Sequence, residues 1–464
     1  MKRLIPFLAF LYYTSVAAQL NINSVIQAQM TQQNIPAVSA LIVKNNEPVW
    51  FKAYGKGNVD ADINATSNMA FMLASVSKTV TATALMQVWE NGGFDLDENI
   101  NNHLPFQVSN PNFPNASITF RHLLTHTAGI VDNWDVLDNL YVDGDSPISL
   151  ADFCSGYFTP GGTYYDADLN FANQAPGMNY EYSNASTTLC GYLVESITGI
   201  DFNQYCRDSI FTPLCMDNTG WFLIDMNQSN LASPHYFESG SYVAVPHYGY
   251  ADYPDGQLRT NSTSLGRFLV MYMNGGQYNG TRILESQTVD LMLSEQVPAI
   301  SPGQGLIWYS DTQSGKTYWG HNGGDLGVST EIRYFREDSI GIVLLTNGDD
   351  IDLDPLLDNL LAYALELNTT GAGYPCGSLL SNEELVFTPN SALKVYPNPA
   401  NGYINLEVGK PGINSTVALY DITGKKVNEQ VHINTDKLQI DISKLNSGLY
   451  TVVWDNLCVR FAKD

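Results

Sequence analysis

Where the strands fall constrains this chain more than any other feature. Alternating apolar runs at Ala37 to Val43 and Pro48 to Tyr54 flank the turn residues Asn45-Asn46, and a second hairpin, Ser329 to Phe335 with Ser339 to Thr346, follows far down the chain. Between them the apolar spacing is mainly helical. Ser75 to Glu90 carries small and apolar residues at helical spacing and stops at Asn91-Gly92-Gly93, a C-cap signal. Ile22 to Gln33 reads as a helix ahead of the first strand, and Asp354-Pro355 opens a last apolar helix running to about Leu367. Hairpins at both ends of a mainly helical region predict one α+β domain whose antiparallel sheet is closed by the two ends of the region.

That domain does not account for the whole chain. Residues 19–392 carry 12 basic and 40 acidic residues while residues 394–464 carry 8 and 7, so the net charge of −25 belongs to the earlier part. Residues 368–392 include Thr-Thr-Gly-Ala-Gly-Tyr-Pro, lack a sustained period and read as a linker. Past it, short alternating runs at Gly402 to Val408, Ser415 to Tyr420, Leu438 to Ile442 and Gly448 to Trp454 predict a small all-β sandwich. At the other end, Met1-Lys2-Arg3, an apolar run from Ile5 to Tyr13 and small residues through Ala18 read as a secretory signal peptide. No run approaches about 20 uninterrupted apolar residues, so an integral membrane segment is not expected. The expected division is a signal peptide over 1–18, a main domain over 19–367, a linker over 368–392 and a C-terminal domain over 393–464.

Apolar residues make up 44% of the chain, which argues against intrinsic disorder, and 47 acidic against 22 basic residues argue against nucleic acid or an anionic membrane as partner. Export exposes Cys154, Cys190, Cys206, Cys215, Cys376 and Cys458 to an oxidising exterior, where local pairing of Cys206 with Cys215 is the favoured disulfide. No Cys-x-x-Cys or Cys/His cluster has zinc spacing, so neither a metal nor another cofactor is expected.

Three short motifs carry chemistry. Ser75-Val-Ser-Lys78 sets a hydroxyl and an amine on one face of a helix, about 5 to 6 Å apart at Cβ, and a serine hydroxyl is a weak nucleophile until a neighbour takes its proton. Tyr182-Ser-Asn184 supplies a phenol and an amide after Pro176-Gly177, and His321-Asn-Gly323 runs through Gly324-Asp-Leu-Gly into a strand. Each spacing recurs at Ser391 to Lys394, Tyr272 to Asn274 or His247 to Gly249, so none is diagnostic alone. Their contexts, a helix start, a loop and a strand edge, are compatible with one site.

Taken in order, Met72 to Thr79, Ile118 to Gly129, Pro176-Gly177 through Tyr182-Ser-Asn184 and Gly320 to Gly324 resemble the serine β-lactamase and penicillin-binding-protein superfamily, in its class C-like branch of esterases, D-aminopeptidases and D-Ala carboxypeptidases. Gly256 to Thr260 and Gly305 to Trp308 match secondary segments, and the resemblance covers nearly all of residues 22 to 367. It implies an antiparallel sheet flanked by helices, with a helical subdomain. It also implies that Ser75 is an acylated nucleophile, Lys78 its proton partner, Tyr182 the general base and Asn184 an amide that steadies Lys78 or substrate. The N–H groups of Ser75 and Gly324 would form an oxyanion hole, with Gly323 beside them. The resemblance also places His321 in the catalytic set and Gly323 with Asn184 and Gly324 in substrate binding; His321 stands where many relatives carry a lysine, which weakens any fixed grip on a substrate carboxylate. A phenol of ordinary pKa near 10 serves as base near neutrality only if positive charge stabilises its phenolate, and Lys78 is the candidate source. Lys394 to Ala400, Leu419 to Lys425 and Ile442 through Tyr450 resemble the C-terminal sorting domain read by the type IX secretion system. The implied partners are that secretion machinery and a small ester, amide or peptide substrate, with export through the periplasm to the cell surface or medium.

Three functions compete: a serine hydrolase of small esters or amides, a D-amino-acid peptidase or β-lactamase, and a binding or sensor protein that has kept only the fold. Plainer readings also apply. His122 and His126, placed in a helix with Leu123 and Leu124, read as structural hydrogen-bonders. Asp95 to Asn99 lacks the glycine and closing glutamate of a calcium loop and reads as a capped loop. Asp349 to Asp354 reads as a helix start, Trp308 and Tyr309 as possible pocket borders, and the connections Val131 to Pro176 and Leu223 to Pro254 as the segments that shape the pocket.

Overall fold

A computed structural model describes residues 21–371, 373–376, 393–408, 416–421, 426–431, 437–454 and 457–464. The signal-peptide reading of residues 1–18 and most of the linker lie outside them.

The first and last strands of the main domain meet. Strands β1 (Ala37–Lys44), β2 (Glu47–Asn58), β3 (Ile63–Asn64), β4 (Tyr309–Gln313), β5 (Lys316–Asp325), β6 (Val328–Phe335) and β7 (Ile340–Thr346) form one antiparallel sheet in the order β4-β5-β6-β7-β1-β2-β3. The closure runs from Val38 opposite Thr346 to Lys44 opposite Ile340.

Both faces of this sheet are buried, and the period of two along each strand sends alternate side chains to different cores. From β1, Leu41 and Val43 join one core while Val38, Ala40 and Ile42 join the other; from β7, Val343 and Leu345 oppose Ile342 and Leu344 in the same way. The second core is covered by helices α1 (Ile22–Gln33) and α5 (Asp354–Glu366), through Ile22, Ile26, Leu357 and Leu361. Lys44 fixes the end of α5 by donating to the carbonyls of Ala364, Leu365 and Leu367 at 3.0, 3.2 and 2.8 Å, a cation at a helix C-terminus.

The first core is the larger and holds helices α2 (Ser77–Glu90), α3 (Asn184–Thr198) and α4 (Ser262–Met273). Here α4 lies close to the sheet, since a Cβ on Gly266 would meet Leu41 at 2.3 Å. Ser77 to Val88 of α2 are all buried. That explains why this helix shows no polar face: it runs through the core of the domain, and the short turn ahead of it, Ala74–Val76, packs against β5 and β6.

The pairing Cys206–Cys215 does not form. Cys215 bonds Cys376 across 161 residues, while Cys154, Cys190 and Cys206 are buried free thiols. Tyr374 accompanies the disulfide: it packs in the first core and donates to the Thr263 carbonyl. Residues before Cys376 thus belong physically to the main body.

The C-terminal residues form a three-stranded sheet (Leu393–Tyr396, Tyr403–Val408, Lys437–Asp441) and a four-stranded sheet (Thr416–Asp421, Lys426–Val431, Gly448–Trp454, Leu457–Lys463). Ile404, Leu406, Val417, Leu419, Val452 and Trp454 meet in one core, so the alternation seen in the sequence is that of a small sandwich.

Candidate active site

Ser75 is presented by a sharp turn. Ala74 has a left-handed φ of 47°, a conformation that costs a non-glycine residue of order 1 kcal/mol, and one 3₁₀ turn over Ala74–Val76 leads into α2. Sequence periodicity places the helix start at Ser75, and the tighter turn accounts for the difference.

Lys78 is fully buried one turn later. Its ammonium donates to Ser75 Oγ at 3.0 Å, to Asn184 Oδ1 at 2.6 Å and to the Asp255 carbonyl at 2.7 Å. An ammonium has three N–H groups and no lone pair, so Lys78 is fully used. Burial works against its charge, but Tyr182, Asp255 and Asp132 outweigh that and hold it above its ordinary range.

Tyr182 and Asn184 arrive at the start of α3, where Ser183 caps the helix by accepting from the Ser186 N–H at 3.0 Å. The cap is braced by a residue that sequence reasoning missed. Asp132 accepts from Ser183 Oγ at 2.9 Å and from the N–H groups of Asn184 and Ala185 at 2.8 and 3.1 Å. Burial raises its pKa, opposed by those three bonds and by Lys78. The Tyr182 ring is 37% exposed, its centre 5.1 Å from Lys78 Nζ and 4.6 Å from that of His126.

His126 lies outside the helix in which the sequence placed it, because Phe120–Leu124 ends first and His126 turns away with φ 54°. Its Nδ1 accepts the Ser183 N–H at 3.2 Å, which puts the proton on Nε2, and that N–H is buried without a hydrogen-bond partner among the described residues. Burial, then Lys78 and His321, hold the ring well below the usual imidazole range. It is therefore a neutral wall behind Tyr182. His122 instead closes a capping box with Thr119, away from this cluster.

His321, on β5, is 2% exposed and bonds the Asn322 carbonyl through Nδ1 at 2.6 Å. A carbonyl only accepts, so Nδ1 carries the proton and Nε2 is left as acceptor. Burial and the nearby Lys78 charge push its pKa down to about 3. At this position the chain therefore presents a neutral imidazole and not a cation. Gly323 follows where nothing larger fits, since a Cβ there would lie 2.3 Å from the Leu73 carbonyl oxygen and 3.0 Å from the Ser75 nitrogen. Gly324 has open space around its Cβ position.

Beside Ser75 opens a cavity of about 540 Å³, bordered by Asn184 and Gly324. The connection from Val131 to Pro176 supplies Trp134, Asp138 and Tyr141, and that from Leu223 to Pro254 supplies Tyr250. Asp349 and Asp350 also line it. They precede α5, whose first turn holds only Asp354, so the acidic run is partly a cavity wall rather than wholly a helix start. Trp308 does not border the cavity; it is fully buried against Tyr272, with ring centres 4.7 Å apart. Tyr309 stands nearer, its ring 5.6 Å from His321 and its hydroxyl donating to Asn322 Oδ1 at 3.1 Å. In the Asp95 to Asn99 loop, Asp97 is paired with Arg121 at 2.7 Å.

Comparisons with known proteins place the fold in a family. Residues 22–365 match the family model described as beta-lactamase, and residues 394–457 match that of the secretion system C-terminal sorting domain. A domain of the second kind implies secretion or display at the cell surface, and no described helix is long and apolar enough to cross a membrane. Protein flp of Staphylococcus aureus is 24% identical over 351 residues, covering 74% of this chain and 66% of its own length, so the chain spans just under two thirds of that relative. The octameric penicillin-binding protein homologue from Pyrococcus abyssi superposes with a TM-score of 0.60 at 19% identity, covering 95% of this chain and 99% of its own. EstCE1, a hydrolase with promiscuous acyltransferase activity, superposes with a TM-score of 0.56 at 18% identity over 74% of this chain and 97% of its own. The family model spans residues 22–365, the whole sheet closed by its first and last strands included: this chain belongs to the beta-lactamase family.

Proposed function

We propose that the protein is an exported serine hydrolase that forms an acyl-enzyme on Ser75 and releases it to water, acting on a small ester or amide. The observation that carries this reading is the allocation of Lys78. Its three N–H groups are committed to Ser75, Asn184 and Asp255, so it serves as a fixed cation and the proton acceptor has to be another group. Tyr182, with its ring 5.1 Å from that cation, fills the role.

In the first step Tyr182 takes the Ser75 proton as Oγ bonds the substrate carbonyl carbon. The oxyanion is received by the N–H groups of Ser75 and Gly324, and the leaving alcohol or amine departs with the proton held by Tyr182. Water then repeats the sequence: its proton goes to Tyr182, its oxygen bonds the acyl carbon, and Ser75 leaves with the proton as the acid is released. Asn184 fixes Lys78 throughout. The sorting domain engages the secretion machinery that carries the protein from the periplasm to the outside.

A neutral His321 and an acid-rich cavity disfavour penicillins and other anionic substrates relative to esters. The test is intact mass with product release on p-nitrophenyl acetate, a D-Ala dipeptide mimic and a penicillin, for wild type and Ser75→Ala. The expected result is ester turnover that Ser75→Ala abolishes. Turnover retained in Ser75→Ala overturns the nucleophile, and a stable stoichiometric adduct without turnover points to the sensor function.

A further inference from the structure

The cavity beside Ser75 is lined by five carboxylates, Asp138, Asp255, Asp325, Asp349 and Asp350, and by no lysine or arginine among the described residues. Lys78, the ammonium beneath the cavity, is buried with every N–H committed. A merely solvated acidic surface would have its carboxylates exposed and loosely held. Two of these are neither.

Asp325 is oriented by three donors. Its Oδ1 accepts from the Tyr141 hydroxyl at 3.1 Å and the Leu326 N–H at 2.7 Å, and its Oδ2 accepts from the Tyr250 hydroxyl at 3.3 Å. Asp255 is 6% exposed; its Oδ2 lies 3.8 Å from Lys78 Nζ, while its Oδ1 is buried with no hydrogen-bond partner among the described residues. A buried carboxylate oxygen without a donor is a costly arrangement that a bound donor relieves. Burial, and the neighbouring Asp132 and Asp325 acting against Lys78, push the Asp255 carboxyl up to about 7, so a cation entering the cavity also relieves that strain between like charges. The remaining wall is aromatic: Tyr141 and Tyr250 lie with ring centres 4.8 Å apart, and Trp134 stands 53% exposed at the mouth. Aromatic faces between carboxylates suit an alkyl chain ending in a cation.

We propose that the substrate of this site carries a primary ammonium group, received by Asp325 and Asp255 inside the cavity and drawn in by Asp138, Asp349 and Asp350 at its rim. This rests on the reading of Ser75 as nucleophile and narrows it from esters and amides in general to amine-bearing ones.

The test compares isosteres that differ in charge alone. On the acyl side these are the p-nitrophenyl esters of heptanoate, 6-aminohexanoate and the adipate half-ester; on the leaving-group side, hexyl acetate and 5-aminopentyl acetate. The expected result is that kcat/KM for the cationic member exceeds its neutral isostere by roughly tenfold or more in at least one pair, with the adipate ester slowest and the gap shrinking as salt rises. Asp325→Asn should bring the cationic-to-neutral ratio toward one, and Asp350→Asn, at an exposed position that does not threaten folding, should lower the same ratio. Each ratio is taken on a single enzyme sample, so a partly unfolded variant does not distort it. Hydrolysis of the neutral esters that depends on Ser75, with no cationic preference in either pair, overturns the ammonium proposal while sparing the nucleophile. Hydrolysis that survives Ser75→Ala removes the reading on which it rests.

Discussion

Asn184 Oδ1 accepts the shortest of the three hydrogen bonds from Lys78, 2.6 Å against 3.0 Å to Ser75 and 2.7 Å to the Asp255 carbonyl. The amide therefore fixes where the cation sits beneath the nucleophile, and it does so from the first residue of α3, a helix whose start is braced by Asp132.

Removing that oxygen leaves one N–H of a buried ammonium without a partner. A lost hydrogen bond to a charged group costs about 1.5 to 3 kcal/mol, which corresponds to roughly 10- to 150-fold in rate if the cation is needed in the transition state. Asn184→Ala is expected to lower kcat on p-nitrophenyl acetate by that factor with a smaller change in KM. An unchanged kcat would mean that Lys78 does not depend on its amide partner.

The two glycines after Asn322 should respond differently to a methyl group. At Gly323 a Cβ meets the Leu73 carbonyl oxygen at 2.3 Å and Thr330 Oγ1 at 2.5 Å, so the strand has to move away from the Ser75 turn. Overpacking of this kind costs typically 1 to 3 kcal/mol. Gly323→Ala is expected to lower Tm by several degrees and to impair turnover, whereas Gly324→Ala, with nothing within 4 Å, should leave Tm nearly unchanged. Thermal denaturation of the two variants side by side decides it.

What the sequence revealed of this site follows from distance along the chain. Ser75 and Lys78 are one helical turn apart, and Tyr182 and Asn184 two residues apart, so short spacings carry them; the two hairpins carry the sheet in the same way. Asp132 and Asp255 come from separate connections and meet Asp325, at the end of β5, only when α2, α3 and β5 pack together, so spacing along the chain does not bring the three together. His126 was misplaced because helical spacing continues past Leu124 while the backbone does not. Trp308 looked like a pocket residue because it adjoins Tyr309, yet it points into the core against Tyr272.

His321 makes stability depend on pH with a definite sign. Its folded pKa of about 3 lies below the ordinary 6.5, so the folded state binds fewer protons than the unfolded chain between those values. The contribution is complete above pH 6.5 and is lost as pH falls toward 3. At pH 5 the loss from this residue is about 2 kcal/mol, taken as 1.36 kcal/mol per pH unit below 6.5. His321→Asn, which keeps a donor for the Asn322 carbonyl, is expected to lose less stability than wild type between pH 7 and pH 5. Urea denaturation at the two pH values measures the difference, and parallel losses would place the acid sensitivity in other groups.

The disulfide between Cys215 and Cys376 should stabilise chiefly by restricting the unfolded chain, because it closes a loop of 161 residues. In the chain-entropy account a loop of that length is worth about 5 kcal/mol, with about 2 to 5 kcal/mol the usual measured cost of losing a native bond. Non-covalent contacts hold the same segment: Tyr374 donates to the Thr263 carbonyl, and its own carbonyl accepts from the Tyr278 hydroxyl at 2.7 Å and from Asn279 Nδ2 at 3.1 Å. Cys376→Ser removes the covalent closure while these remain, so it should lower the urea midpoint by an amount in that range and leave the ester kinetics near wild type, since Cys215 lies outside the cavity lining. Reductant should shift wild type to the variant's midpoint and leave the variant where it is. Equal midpoints in oxidised wild type and Cys376→Ser would show that Tyr374 alone secures the segment.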